Sequence, residues 1–169
     1  MSDQVHGTLV LGLGNPIMGD DGFGLAVLER LRTEWLVPVE VSLVDGGTWG
    51  MRLLPIIEAA ERVLLLDSID MGIESGAPVV LERSESPRRF GHKLSPHQVD
   101  LCEILALAEL RDTLPGDVVA MGAQPERVEL GDGLTPALAA SVDTVVALAV
   151  ARLEVWGHRC SRATEVASA

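Results

Sequence analysis

The chain has 169 residues, 47% of them hydrophobic, and carries 25 acidic against 13 basic side chains for a formal charge of −12. That length bounds it to one domain, 1–169, with enough chain to bury a full core without staples. The charge opposes binding of nucleic acid or an anionic membrane by bulk electrostatics, and suits a basic partner or a metal cation.

In chain order, 1–7 reads as a ragged lead-in without the basic and apolar regions of a secretory signal. An apolar strand over 8–13 breaks into the glycine turn Gly12-Leu13-Gly14. A loop with Asn15 and Pro16 follows, then the adjacent carboxylates Asp20 and Asp21. Apolar spacing predicts a first helix over 21–35, with Pro38 marking its exit. The β-branched alternation of 39–44 predicts a second strand, ending in the turn Asp45-Gly46-Gly47-Thr48. Thr48 is placed to cap a second helix reaching Ala60, bent or cut short by Pro55. Residues 62–67, apolar on both faces, predict a central strand ending at Asp67. A loop over 68–77 leads to a short strand over 78–82, which its proline assigns to a sheet edge. The charged stretch 83–94 reads as an exposed loop. Ser95, Pro96 and Gln98 then form a capping box opening a helix to Leu110. A fifth strand over 117–121 and a loop over 122–134 precede Thr135-Pro136, which repeats the cap-then-proline device. The last helix runs to Trp156, and 157–169 reads as a frayed tail beyond a core of 8–156. Strands alternating with helices give an α/β fold, a three-layer α/β/α sandwich around a twisted, mostly parallel sheet of about five strands. No stretch has the length of a transmembrane span. Cys102 and Cys160 form no CxxC, Cys102 reads as a small core residue, and a reduced, cytoplasmic setting is expected.

Asp21, Asp67 and His97 share one property. Each follows a strand or opens a helix on the same side of the sheet, where ligands of open α/β sheets bind. Two carboxylates and an imidazole suit a divalent metal such as zinc or nickel. The positive end of a helix favours an anion at Asp21 and a neutral, metal-binding imidazole at His97. Burial at the end of its strand disfavours charge on Asp67 unless a cation or hydrogen-bond donors offset it. The plainer readings are a cap-like residue for Asp21 and a solvated first-turn residue for His97. His6, His92 and His158 fall in ragged or charged segments and read as exposed.

Rival motifs fail on the letters. A dinucleotide fingerprint needs a third glycine where Ile17 stands, although Asp45 at the end of the second strand would suit it. There is no Gly-Lys-Ser/Thr loop and no Gly-x-Ser-x-Gly elbow. Gly12-Leu-Gly-Asn-Pro16 resembles the start of peptidyl-tRNA hydrolases, but the tyrosine and Arg-His-Asn elements that follow there are missing, and the chain contains no tyrosine.

Six motifs, in order, carry a second resemblance: Gly12-Leu-Gly-Asn15 with Asp20-Asp21-Gly22-Phe-Gly24; Asp45-Gly-Gly-Thr48; Leu66-Asp67; Lys93-Leu-Ser-Pro-His97-Gln98; Gly122-Ala-Gln-Pro125-Glu126; and Gly133-Leu-Thr-Pro136. Over 8–155 the chain resembles the hydrogenase maturation proteases, endopeptidases that process the large subunit of nickel-iron hydrogenases. The resemblance implies the same sandwich fold and an enzyme acting on the large-subunit precursor; a cytoplasmic monomer is expected. It implies removal of a C-terminal peptide after nickel insertion, the cut following a His or Arg. Asp21, Asp67 and His97 match the family's metal-contacting acid, Asp and His. The position of Asp21 is Glu in some members, so the shorter side chain here is expected to loosen or reposition that ligand. Nickel is implied to come with the substrate, and no organic cofactor is expected. Aspartic and metal-assisted mechanisms both stay open. Asp45, with Gly46 and Gly47 letting a backbone approach, is expected to line the same cleft and bind substrate, and Arg88, Arg89 and Lys93 offer basic contacts. A non-catalytic nickel-binding checkpoint or chaperone on the same fold is the alternative.

Overall fold

The computed structural model describes residues 7–83 and 99–166. Residues 84–94 of the expected loop 83–94, and the capping box at 95–98 with His97, lie outside the described residues.

Strand β1 (Thr8–Leu13) runs into the glycine turn, a single 3-10 turn over Gly19–Gly22, and helix α1 (Phe23–Glu34). A two-residue strand β2 (Trp35–Leu36) and strand β3 (Val41–Gly47) follow. After β3 come a second 3-10 turn (Gly50–Leu53), the short helix α2 (Leu54–Glu58), β4 (Arg62–Ser68) and β5 (Pro78–Glu82). Helix α3 spans Val99–Leu110, β6 Asp117–Ala123 and α4 Pro136–Val155, before β7 (Ser161–Arg162) and α5 (Ala163–Val166).

The main sheet has five strands in the order β3-β1-β4-β6-β5. All neighbours in it are parallel except β5, an antiparallel edge strand on β6. The apolar run of β4 is therefore central, as its two-faced pattern requires. Leu9, Leu11, Val63 and Leu65 face a core shared with Ile57, Leu101 and Ile104. Val10, Leu64 and Leu66 face the opposite core with Phe23, Val27, Leu138 and Val145. The two cores give the three layers, α2 and α3 on one side of the sheet and α1 and α4 on the other. From β1 the chain crosses one way to β3 over α1, then returns past β1 to β4 over α2. The carboxyl ends of β1 and β4 are thus the switch point where such sheets open a crevice.

Several boundaries depart from the sequence reading. Asp21 sits in the 3-10 turn before α1, not in the helix itself. Strand β3 starts at Val41 rather than 39, because the chain turns from Pro38 to Val41 and leaves Val39 exposed. Thr48 caps no helix. Gly50, at φ +57°, breaks any right-handed run begun there, and α2 starts only at Leu54 with Pro55 in its first turn. Residues 157–166 are folded onto the domain rather than frayed. Ser161 and Arg162 pair antiparallel with Leu36 and Trp35, and the Arg162 guanidinium lies 4.7 Å from the Trp35 ring centroid. His158 is not merely exposed, since its Nε2 is 2.8 Å from Thr8 Oγ1. No helix among the described residues is long and apolar enough to cross a membrane.

Candidate functional site: a buried carboxylate pair

Two glycines bring the site together. Gly14, at φ +114°, has no side chain where a Cβ would stand 1.8 Å from the Asp21 carbonyl oxygen. A Cβ on Gly24 would stand 2.0 Å from the Leu66 carbonyl oxygen. The start of α1 is therefore pressed into the crook between β1 and β4, and the turn carrying Asp21 packs against the strand that carries Asp67.

Both carboxylates are fully buried. Asp21 Oδ2 accepts the Asn15 amide at 2.9 Å. Its Oδ1 is buried with no hydrogen-bond partner among the described residues. An oxygen in that state is costly unless a donor or cation reaches it. Asp67 Oδ1 accepts the amide of Ser68 at 2.8 Å. Helix α3 shares a core with this strand through Leu101 and Ile104. Burial raises the Cys102 thiol above its ordinary value, and the charges of Glu103 and Asp67 raise it further. Cys102 therefore holds its proton more tightly than a free thiol does.

The expected substrate-binding residues reach the same end of the sheet. Gly12 pairs with Asp45, Leu13 pairs with Gly47 across an irregularity, and the Gly14 amide donates to the Gly47 carbonyl at 3.2 Å. Asp45 is exposed and Gly46 buried. His97, Arg88, Arg89 and Lys93 lie outside the described residues. Among the described residues no group of three or more His, Cys, Asp or Glu side chains could hold a metal. The orphaned Asp21 oxygen is a hard donor of the kind that suits a divalent cation.

Asp20, read only as a neighbour of Asp21, accepts four hydrogen bonds. Its Oδ2 accepts the amides of Glu126 and Arg127, both at 2.9 Å, and the Thr135 hydroxyl at 3.0 Å. Its Oδ1 accepts the Thr135 amide at 2.7 Å. Thr135 is the residue before α4, but its hydroxyl serves Asp20 instead of capping the helix. The doubled acid is the only signal of this in the letters.

A sequence model of the hydrogenase maturation proteases matches residues 25–152. The chain belongs to the hydrogenase maturation protease family. It is similar to the hydrogenase expression/formation protein HupD of Rhodobacter capsulatus, 35% identical over 162 residues that cover 95% of this chain and 77% of that one. The hydrogenase 2 maturation protease of Escherichia coli is 31% identical over 150 residues, covering 88% and 92%. The solved structure of the hydrogenase maturating endopeptidase HybD from Escherichia coli superposes with a TM-score of 0.87 at 30% identity, over 94% of this chain and 98% of that one. The expected family, fold and peptidase class are borne out.

Proposed function

We propose that this protease removes the C-terminal peptide from the nickel-loaded large subunit of a nickel-iron hydrogenase. Asp21 and Asp67 act at the scissile bond. Together with His97 they meet a nickel ion that arrives with the substrate. Asp45, Gly46 and Gly47 line the path of the substrate chain. The protein works as a cytoplasmic monomer without an organic cofactor.

The observation that carries this reading is the pair of fully buried carboxylates, one with an oxygen lacking any hydrogen-bond partner among the described residues, at the switch point of a maturation-protease fold. A carboxylate left incomplete in the free protein is suited to a cation supplied by a partner. Ile17, Trp49, Met51 and Leu130, all exposed, stand on the loops after β1, β3 and β6, on both sides of the pair. Apolar side chains in that position suit a protein substrate better than a small solute.

The test is incubation with a nickel-loaded large-subunit precursor, followed by intact mass measurement. Loss of a defined C-terminal peptide is expected. A precursor that binds and keeps its full mass would instead support the non-catalytic checkpoint.

A further inference from the structure

Asp20 has no place in the proposed chemistry, yet it is fully buried and accepts four hydrogen bonds. Every donor comes from the segment 126–135 that links β6 to α4. Among the described residues, the other ties between that segment and the Asp21 turn run through the backbone. They are the Asp20 amide on the Arg127 carbonyl at 3.1 Å, Gly19 on Gly131 at 3.1 Å, and Gly131 on Ile17 at 3.0 Å. All of them converge on 17–20, the residues just before Asp21. In a 3-10 turn, successive side chains point about 120° apart. Asp20 accordingly faces the 126–135 segment while Asp21 faces back to Asn15.

We infer that Asp20 is a positioning residue, which locks the turn carrying Asp21 to the 126–135 segment and so fixes where the Asp21 carboxylate stands. The inference rests on the proposed role of Asp21. It gives a purpose to a buried carboxylate whose neutral replacement cannot serve. An amide at this position turns its NH2 toward an N–H donor in either orientation. Displacement of Asp21 by a fraction of its hydrogen-bond length would release the Asn15 amide and misplace the acting oxygen.

The test uses the full chain, with Asp20→Asn, Thr135→Val (which removes one of the four donors) and Thr135→Ser (which keeps it). Backbone hydrogen exchange is read on the free protein, and cleavage of nickel-loaded precursor is read as kcat and KM per folded molecule. In Asp20→Asn the Asn15 amide should exchange about 10-fold faster while the amides of β4 keep their protection. The same variant should lose about 100-fold in kcat with KM close to wild type. Thr135→Val should move both readouts the same way by less, and Thr135→Ser should recover most of that loss. An unchanged Asn15 amide, with kcat per folded molecule close to wild type in both Asp20→Asn and Thr135→Val, overturns the inference. If Asp20→Asn does not fold, Thr135→Val decides between the two outcomes. If the wild type cuts no precursor, the proposed function fails, while the Asn15 amide still decides whether Asp20 sets Asp21.

Discussion

Asp67, next to last in β4, accepts the Ser68 amide on its Oδ1, a bond that an asparagine oxygen can keep. Asp67→Asn should therefore leave circular dichroism and the thermal transition near wild type but release no peptide from the precursor. Unfolding of that variant would make Asp67 a structural residue. The thiols supply a pH test. Cys102 is raised above the ordinary thiol value of 9.0 chiefly by burial, then by Glu103 and Asp67; Cys160 is raised by burial, then by Glu154. As pH rises through 9.0 the unfolded chain gives up these protons first, so stability falls from there until the folded thiols also ionise. The urea midpoint should drop as pH is taken from neutral to above 9.0, and drop less in a Cys102→Ala, Cys160→Ala double variant. Asp21 and Asp67 stand out in the letters because one lies between a strand and a helix and the other near the end of an unbroken apolar strand. Asp20 is not, because a doubled acid does not reveal which member faces which neighbour; that depends on a 3-10 turn and on donors more than a hundred residues away.

At the scale of elements, β4 is the beam that carries Asp67. Leu65→Ala, at a fully buried position in its centre, should cost about 2–5 kcal/mol in urea denaturation through the cavity it leaves. Leu110→Ala, at an exposed helix end, should stay within about 0.5 kcal/mol. The five strands of the sheet and the long helices are readable because their apolar periods are local and unbroken. The β2–β7 pair is not, since two-residue strands carry no period and their partners lie far apart in the chain, Trp35 with Arg162 and Leu36 with Ser161. The expected Thr48 helix fails for a related reason: cap letters are present, but the positive φ of Gly50 is invisible in sequence. His97, the remaining expected ligand, lies outside the described residues.

The whole molecule carries a net charge of −12 and places exposed Trp49 close in sequence to Asp45 at the carboxyl end of the sheet. A loop tryptophan is a strong anchor for a partner protein. Trp49→Ala should raise KM for the precursor about 10-fold at constant kcat and thermal midpoint, whereas Leu110→Ala at the far end should change neither kinetic constant. Under the proposed function, the buried carboxylates act on a substrate presenting its own nickel. Without the ion, the precursor offers the same peptide but no cation for the Asp21 oxygen that lacks a partner among the described residues. Positioning of the cleavage site would then be lost, at a cost of orders of magnitude in rate. The direct measurement compares nickel-loaded and metal-free precursor at equal concentrations of the wild-type protein, by intact mass, with chelator present in the metal-free arm. A shortened large subunit is expected in the loaded arm and full-length precursor in the other. Comparable cleavage of the metal-free precursor would contradict nickel sensing, leaving a carboxylate protease that reads peptide sequence or shape instead of the metal.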